Sequence, residues 1–404
     1  MTTSQKESSW GKIKLSNVVN FIIDNRGRNP EYYTEKGIPV IDNFMITGEK
    51  FLRLENTKRY IDESIYKSFI RKEIIEDDVL VTLVGNGFGN IACAPKEKAV
   101  IIQNTIGLRA SQDYSQSFLF YSLRFEKNNI TALDRGAAQP SVKVGDLMNV
   151  EVFNPPLRTQ NKIAVVIASY DNLIENNNKR IKILESIVQK LYIEWFVKNK
   201  TTNDYLKASI DNVAVVHRGK SYSSEDIKDV EGIPFVNLKC VNRYGGFRYD
   251  GLKAFSGDYK DSHVVKNGDI VMAVTDMTQE RMIVARVARI PSLDGGFGVI
   301  SMDLVKIEPK ENTNKSWLYC FLRYSGLGDK LKNSANGANV LHLNPSRISE
   351  YELSVPPFDV QESFANLVEK MLLLQERLLV ENRNLQSARD LLIPQLISGK
   401  IEIK

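Results

Sequence analysis

Two stretches of the chain carry an apolar stripe whose positions recur at alternating intervals of three and four. In the first, the stripe runs through Ile163, Val166, Tyr170, Leu173, Asn177, Arg180, Leu184, Ile187 and Leu191. In the second it runs through Phe364, Leu367, Met371, Leu374, Leu378, Glu381, Leu385, Ala388 and Leu392. This spacing holds one stripe on one face of a helix and asks for a partner helix. No Gly or Pro interrupts either stretch before Pro394. A Pro-Pro pair precedes each, at Pro155-Pro156 and Pro356-Pro357, where extended chain turns into helix. A helix from Gln160 to Phe196 would be roughly 55 Å long.

The two stretches are copies of one another. A constant offset of 201 residues pairs Pro155 with Pro356, Gln160 with Gln361 and Ala164 with Ala365. It also pairs Leu173 with Leu374, Leu184 with Leu385, Ser186 with Ser387 and Leu191 with Leu392. A period this long means duplicated domains and not a solenoid. Two stripes in the same register predict that the helices pair with each other in a coiled coil; if that pairing is antiparallel about a pseudo-twofold, Asn177 lies close to Leu378. Ile163 would then lie near the Leu392 end, and Phe364 near the Leu191 end.

Ahead of each helix the repeat is weaker but ordered. Gly37-Ile38-Pro39 matches Gly232-Ile233-Pro234, and RGR at Arg26 matches RGK at Arg218. The run DVLVTLV after Asp78 matches DIVMAV after Asp269, and Gly136-Ala137 matches Gly337-Ala338. Short β-branched runs cut by Gly, Asn and Asp read as strands. SFLFYSLRF and SWLYCFLRY read as one helix in each half. The predicted architecture is α+β, with two strand-rich globular domains and two long helices. The divisions are 1–157, the first globular domain; 158–200, the first helix; 201–355, the second globular domain; and 356–404, the second helix and tail.

At 404 residues each half is long enough to bury a core of its own. No run of 18 apolar residues exists and the polar start MTTSQKESSW lacks an apolar signal core, so a cytoplasmic protein is expected. Cys93, Cys240 and Cys320 have no paired spacing for a metal or a disulfide framework. The net charge of +5 is spread thinly. The first helix segment holds 8 basic and 4 acidic residues, whereas the second holds 6 and 7. This balance is compatible with nucleic-acid binding without arguing for it.

Catalytic motifs are scarce. Gly85-Asn86-Gly87-Phe88-Gly89 has the look of a nucleotide-binding loop, and Asn154-Pro155-Pro156-Leu157 that of the Asn-Pro-Pro-aromatic motif of amino-methyltransferases. Yet the glycine loop leads into a strand-like run, IACAPKEKAVII, whereas a phosphate-cradling loop opens a helix. Leu157 cannot stack on a flipped base, and the Pro-Pro pair already has its role as helix lead-in. His217, His263 and His342 stand alone, without metal-ligand spacing. Glu308-Pro309-Lys310 has the shape of a nuclease triplet but no Pro-Asp before it, and no serine nucleophile elbow is present.

The layout resembles the specificity subunits of type I restriction-modification systems. RGAAQPSV at Arg135 leading to VFNPPLRTQNKI resembles that family's entry into its helix, and LLIPQLISGKIEI resembles its C-terminal tail. Departures are Thr159 and Val360, where an acidic residue is usual, and Asn-Gly-Ala-Asn in the second copy. The resemblance implies a non-catalytic subunit with two target recognition domains, each reading half of a bipartite site on double-stranded DNA. The helices would set the spacer and dock two methyltransferase subunits, which carry the S-adenosylmethionine; this chain would hold no cofactor or metal. Restriction and translocase subunits would join that core. Self-contained adenine methylation and a coiled-coil scaffold remain the alternatives.

Base readout calls for Arg, Lys, Asn and Gln on loops that reach base edges. In the first domain these are Arg26, Arg28 and Asn29 after the first strand, and Asn86, Phe88 and Asn90 in the glycine loop. In the second they are Arg218, Lys220 and Tyr222, then Arg243 and Tyr244, then Thr278, Gln279 and Arg281. Phe88, between two glycines, reads equally well as a buried plug.

Overall fold

The computed structural model describes residues 10–27, 29–85, 87–134, 136, 139–198, 205–228 and 231–403. It divides into two compact units, Met1–Glu175 with Leu385–Lys404, and Asn176–Asn384. Each unit therefore holds one globular part and a portion of both long helices. No helix among the described residues is long and apolar enough to cross a membrane.

In the first unit, strands Val19–Ile23, Thr105–Ala110, Val79–Thr82 and Ile91–Cys93 lie in that order in an antiparallel sheet. Val79–Thr82 is buried along its whole length, so its sequence shows no polar alternation. A smaller sheet sets Ile38–Ile41 between Tyr60–Ile61 and Val100–Ile101, the latter pairing being parallel. Lys12–Lys14 pairs with Glu151–Phe153 and joins the two ends of the globular part. Helix Gln116–Phe125 lays Phe118, Leu119 and Leu123 into the same core as Val79, Val81, Ile106 and Leu108.

The second unit repeats this plan. Ala214–Arg218, Leu304–Pro309, Ile270–Ala273 and Val287–Arg289 form its four-stranded antiparallel sheet. Ile233–Val236 again lies between an antiparallel neighbour, Lys253–Phe255, and a parallel one, Phe297–Ile300. Ile227–Lys228 and Val264–Lys266 widen that sheet to five strands. Leu206–Ser209 pairs with Glu352–Val355, the counterpart of the end-joining pair. Helix Lys315–Tyr324 covers the core with Trp317, Leu318 and Phe321.

Both long helices start in the same way. The first spans Leu157–Ile193, continued by a wide turn at Glu194–Lys198, and the second spans Phe358–Ile397. Gln160 is buried; its Oε1 accepts from the Ser115 N–H at 2.8 Å and its Nε2 donates to the Pro155 carbonyl at 2.8 Å. Gln361 does the same with the Asn314 N–H at 2.9 Å and the Pro356 carbonyl at 2.9 Å. Each glutamine ties its helix entry to the start of the domain's covering helix. Pro394 is accommodated in the last turn, where the Ser398 hydroxyl donates to its carbonyl at 2.6 Å.

Within each unit the two helix segments run antiparallel. In the first, Asp171 meets Arg389 at 2.6 Å, and Ile163 and Ile167 share a core with Ile393 and Ile397. In the second, the Asn382 amide donates to Asn178 Oδ1 at 2.9 Å, while Phe196 packs edge-on against Phe364 at 4.9 Å. Leu392 lines the core that holds Ile163, and Leu191 the core that holds Phe364. Asn177 and Leu378 are both buried, but the Asn178–Asn382 bond puts Leu378 one turn, about 6 Å, from the level of Asn178. The expected meeting of Asn177 with Leu378 is displaced by five residues, about 7–8 Å along the axis.

The expected seam also needs correction. Ile163, Asn177, Phe364 and Leu378 are buried, and Val166, Tyr170, Leu184, Leu191, Met371, Leu374, Leu385 and Leu392 are half-buried. Leu173, Ile187 and Leu367 are 47%, 39% and 46% exposed. The buried stripe passes instead through Ile167, Asp171, Ile174, Val188 and Tyr192, and in the copy through Val368, Leu372, Gln375, Arg389 and Ile393. Two causes act together. A straight helix drifts about 20° per heptad against a 3.5-residue repeat. Each segment also packs on its globular part, as the shared core of Ile163 with Phe118 shows, which widens and turns the buried arc.

Candidate nucleic-acid interface

The candidate residues of the first unit lie on two loops. Arg26 follows strand Val19–Ile23, and its guanidinium grips Asp24 through Nε–Oδ1 at 2.9 Å and a second bond at 2.8 Å. The Arg26 bond holds the Asp24 carboxyl below its usual range despite partial burial. Much of the charge of Arg26 is thus met within the protein. Asn29 is exposed and accepts from Gln103 Nε2 at 2.6 Å. Arg28 and Asn86 lie outside the described residues.

The glycine loop is a closed turn. Gly85, Gly87 and Gly89 all take positive φ, at 83°, 85° and 76°. Backbone bonds run from Phe88 to the Gly85 carbonyl at 3.0 Å and from Asn90 to the Gly87 carbonyl at 2.8 Å. Asn90 is spent internally: its amide donates to the Ile46 carbonyl at 3.0 Å and its Oδ1 accepts from Lys127 at 2.8 Å. Phe88 is half-buried against the main core of the unit. Asn43, which sequence reasoning missed, braces the loop by donating to the Val84 carbonyl at 2.8 Å.

In the second unit Arg218 is exposed at the end of its strand, while Lys220 is half-buried and held by backbone bonds to Ile300 and Met302. Tyr222 packs edge-on against Phe235 at 4.8 Å, and burial raises its phenol pKa. Arg243 and Tyr244 stand at the tip of a turn closed by the Gly245 N–H on the Asn242 carbonyl at 2.8 Å. Tyr244 is 74% exposed there. Gly245 and Gly246, with φ of 82° and 89°, pass close to the Arg323 guanidinium, so a side chain would crowd the turn.

Thr278, Gln279 and Arg281 share the loop after Ile270–Ala273, the counterpart of the glycine loop. Gln279 Nε2 donates to the Ala338 carbonyl at 2.8 Å, and Arg281 takes a positive φ of 53°. Asp276, 1% exposed, lies beneath this loop and was not singled out from sequence. Asp-x-Thr at a strand end is the local signal that would have found it, since Asp side chains close turns on nearby N–H groups.

Two other sequence features resolve as structural. Glu308 lies on strand Leu304–Pro309 and pairs with His217 at 2.8 Å. The three cysteines are free and buried, and burial pushes the Cys240 thiol up to about 12. No cluster of metal-ligating side chains occurs among the described residues.

Known proteins share this plan. The family model for the type I restriction modification DNA specificity domain matches residues 7–186 and 203–378. The type I restriction enzyme MjaIX specificity subunit of Methanocaldococcus jannaschii is 26% identical, over 100% of this chain and 97% of the relative. The HindI specificity subunit of Haemophilus influenzae is 21% identical, over 98% of this chain and 100% of its own. A solved type I restriction-modification S subunit from M. genitalium has the same fold, with TM-score 0.60 and 14% identity over 100% of this chain and 99% of that one.

Proposed function

This chain belongs to the type I restriction modification DNA specificity family, and we propose that each of its two globular parts reads one half of a bipartite DNA site. The observation that carries this reading is the duplication. Two copies of one sheet order each present a loop after the same buried strand, and the family model matches both copies. Arg243 with Tyr244, and Gln279 beside Met277, are the exposed groups best placed to reach base edges. Arg218 suits a phosphate contact. The long helices set the spacing between the half-sites and dock methyltransferase subunits. Those partners supply S-adenosylmethionine and the methyl transfer; restriction and translocase subunits supply cleavage. This chain contributes recognition alone.

The test is affinity for duplex DNA by the chain assembled with its methyltransferase subunits, titrated with salt. Binding should fall linearly on a log–log plot, with a slope near −0.9 per phosphate contact. Calorimetry on the chain alone should show no uptake of S-adenosylmethionine. Uptake by the isolated chain would favour a self-contained methyltransferase, and salt-independent association would favour a scaffold.

A further inference from the structure

The loop Met277–Val284 is held from below by one buried carboxylate. Asp276 Oδ1 accepts from the Thr278 N–H and the Thr278 hydroxyl, both at 2.9 Å. Its Oδ2 accepts from the Ile283 N–H at 2.6 Å and the Val284 N–H at 3.2 Å. One side chain therefore gathers donors from both ends of the loop. Burial opposes ionisation of Asp276, but the bonds from Ile283, Thr278 and Val284 outweigh it and hold the carboxyl below its usual range.

Turns within the loop add to this hold: the Arg281 N–H donates to the Thr278 carbonyl at 3.4 Å and the Arg286 N–H to the Ile283 carbonyl at 2.9 Å. Arg281 and Ala285 take positive φ, 53° and 62°, an unfavourable region for residues with a Cβ. The far side is tied at its tip through Gln279 to the Ala338 carbonyl at 2.8 Å and Arg281 to the Asn333 carbonyl at 3.5 Å, and the Arg286 guanidinium donates to the Met282 carbonyl at 3.3 Å. Asp276 itself is anchored, since Thr275 and Asp276 pair with His342 and Leu341 in a two-stranded ladder. Val284 is fully buried in the main core. The carboxylate thus joins a fixed floor to an exposed loop, on which Met277 is 68% exposed.

We propose that Asp276 is the positioning residue that sets the shape of this loop and, through Gln279 and Met277 on it, the base specificity of one half-site. The proposal rests on the reading of the second unit as a half-site reader. Two acceptor oxygens and a negative charge are what four converging donors require. Asparagine offers one oxygen and turns an N–H₂ group toward donors that need an acceptor.

The experiment is methylome sequencing of cells carrying the complete complex, with the wild-type chain or with Asp276→Asn, Asp276→Glu or Thr278→Val. Asp276→Asn should relax at least one base position by about tenfold or more, in one half-site only. The other half and the spacer should stay fixed. Asp276→Glu, which keeps both oxygens, should recover part of that discrimination. A merely structural carboxylate would lower methylation at the unaltered sequence without new degenerate sites, and that result overturns the proposal. If Asp276→Asn fails to fold, Thr278→Val removes only the hydroxyl donor and must give the same one-sided relaxation; failure there overturns the proposal too. Replacing Gln279 and Met277 together with Ala separates the two readings. No change in either half-site would sink the loop as a reader. A changed half-site with Asp276→Asn and Thr278→Val silent would sink only the role of Asp276.

Discussion

The loop after the buried strand is built from glycines and amides in the first unit and closes on a carboxylate in the second. In the first, three glycines at positive φ make the turn, and Asn43 and Asn90 tie it to neighbouring backbone. In the second, Asp276 takes four hydrogen bonds and the positive φ values fall on Arg281 and Ala285. Both loops are clasped by the segment that follows the Gly-Ala element. Gly85 donates to the Pro140 carbonyl at 3.0 Å, and Leu343 donates to the Val274 carbonyl at 2.8 Å. The four-stranded sheets beneath are alike strand for strand. A duplicated scaffold thus keeps its strands while the loops change chemistry, as expected when function resides in loops on a rigid frame.

The contrast can be broken by mutation. Asp276→Ala strands the buried Val284 N–H and the half-buried Ile283 N–H and releases the Thr278 pair, so the second unit should lose about 4 kcal/mol in denaturant unfolding. Asn90→Ala, the nearest counterpart, leaves the glycine turn and the Asn43 bond in place and should cost about 1 kcal/mol. Equal losses would mean that the two loops are held alike.

A second difference lies at the second helix, where Glu376 is buried beside Arg289. Arg289 Nε stands 2.9 Å from Glu376 Oε1, yet neither atom makes a well-formed hydrogen bond, and Arg289 is also taken by Glu369 at 2.8 Å. Burial therefore wins and pushes the Glu376 carboxyl up to about 7. With a folded pKa above the unfolded value, its stabilising effect is complete below the unfolded pKa and is lost as pH rises through 7. Relative to Glu376→Gln, the wild type should lose on the order of 2–3 kcal/mol between pH 4.5 and pH 8. A pH-independent difference between the two proteins would contradict this. The matched glutamines sharpen the opposite side of the comparison. Gln160→Ala and Gln361→Ala each leave a helix-entry carbonyl and a domain N–H unpaired. Each should cost about 2 kcal/mol, nearly equally, by thermal unfolding of the full chain.

Much of this was legible from the chain. The duplication was readable because the helices repeat without gaps, and Gln160 and Gln361 fell into equivalent places. Their role did not show, since a buried side-chain clasp depends on a chain segment some 45 residues upstream, Ser115 or Asn314. The seam was misplaced around Leu173 and Ile187 because heptad counting ignores both the 3.6-residue period and the second packing surface. The sequence shows Asn90 as a loop amide suited to a base edge, but not the internal bonds of that amide to the Ile46 carbonyl and Lys127. Asp276 was passed over because an acid at the end of an apolar run ordinarily faces water. Local sequence reports which residues are polar, not which polar groups find partners across the fold.

The most direct test of the central claim is exchange of residues 1–150 for the matching part of a relative, read by methylome sequencing of the complete complex. One half of the methylated sequence should change to that of the donor, with the other half and the spacer retained. A site altered in both halves, or in neither, would contradict the division of recognition between the two units.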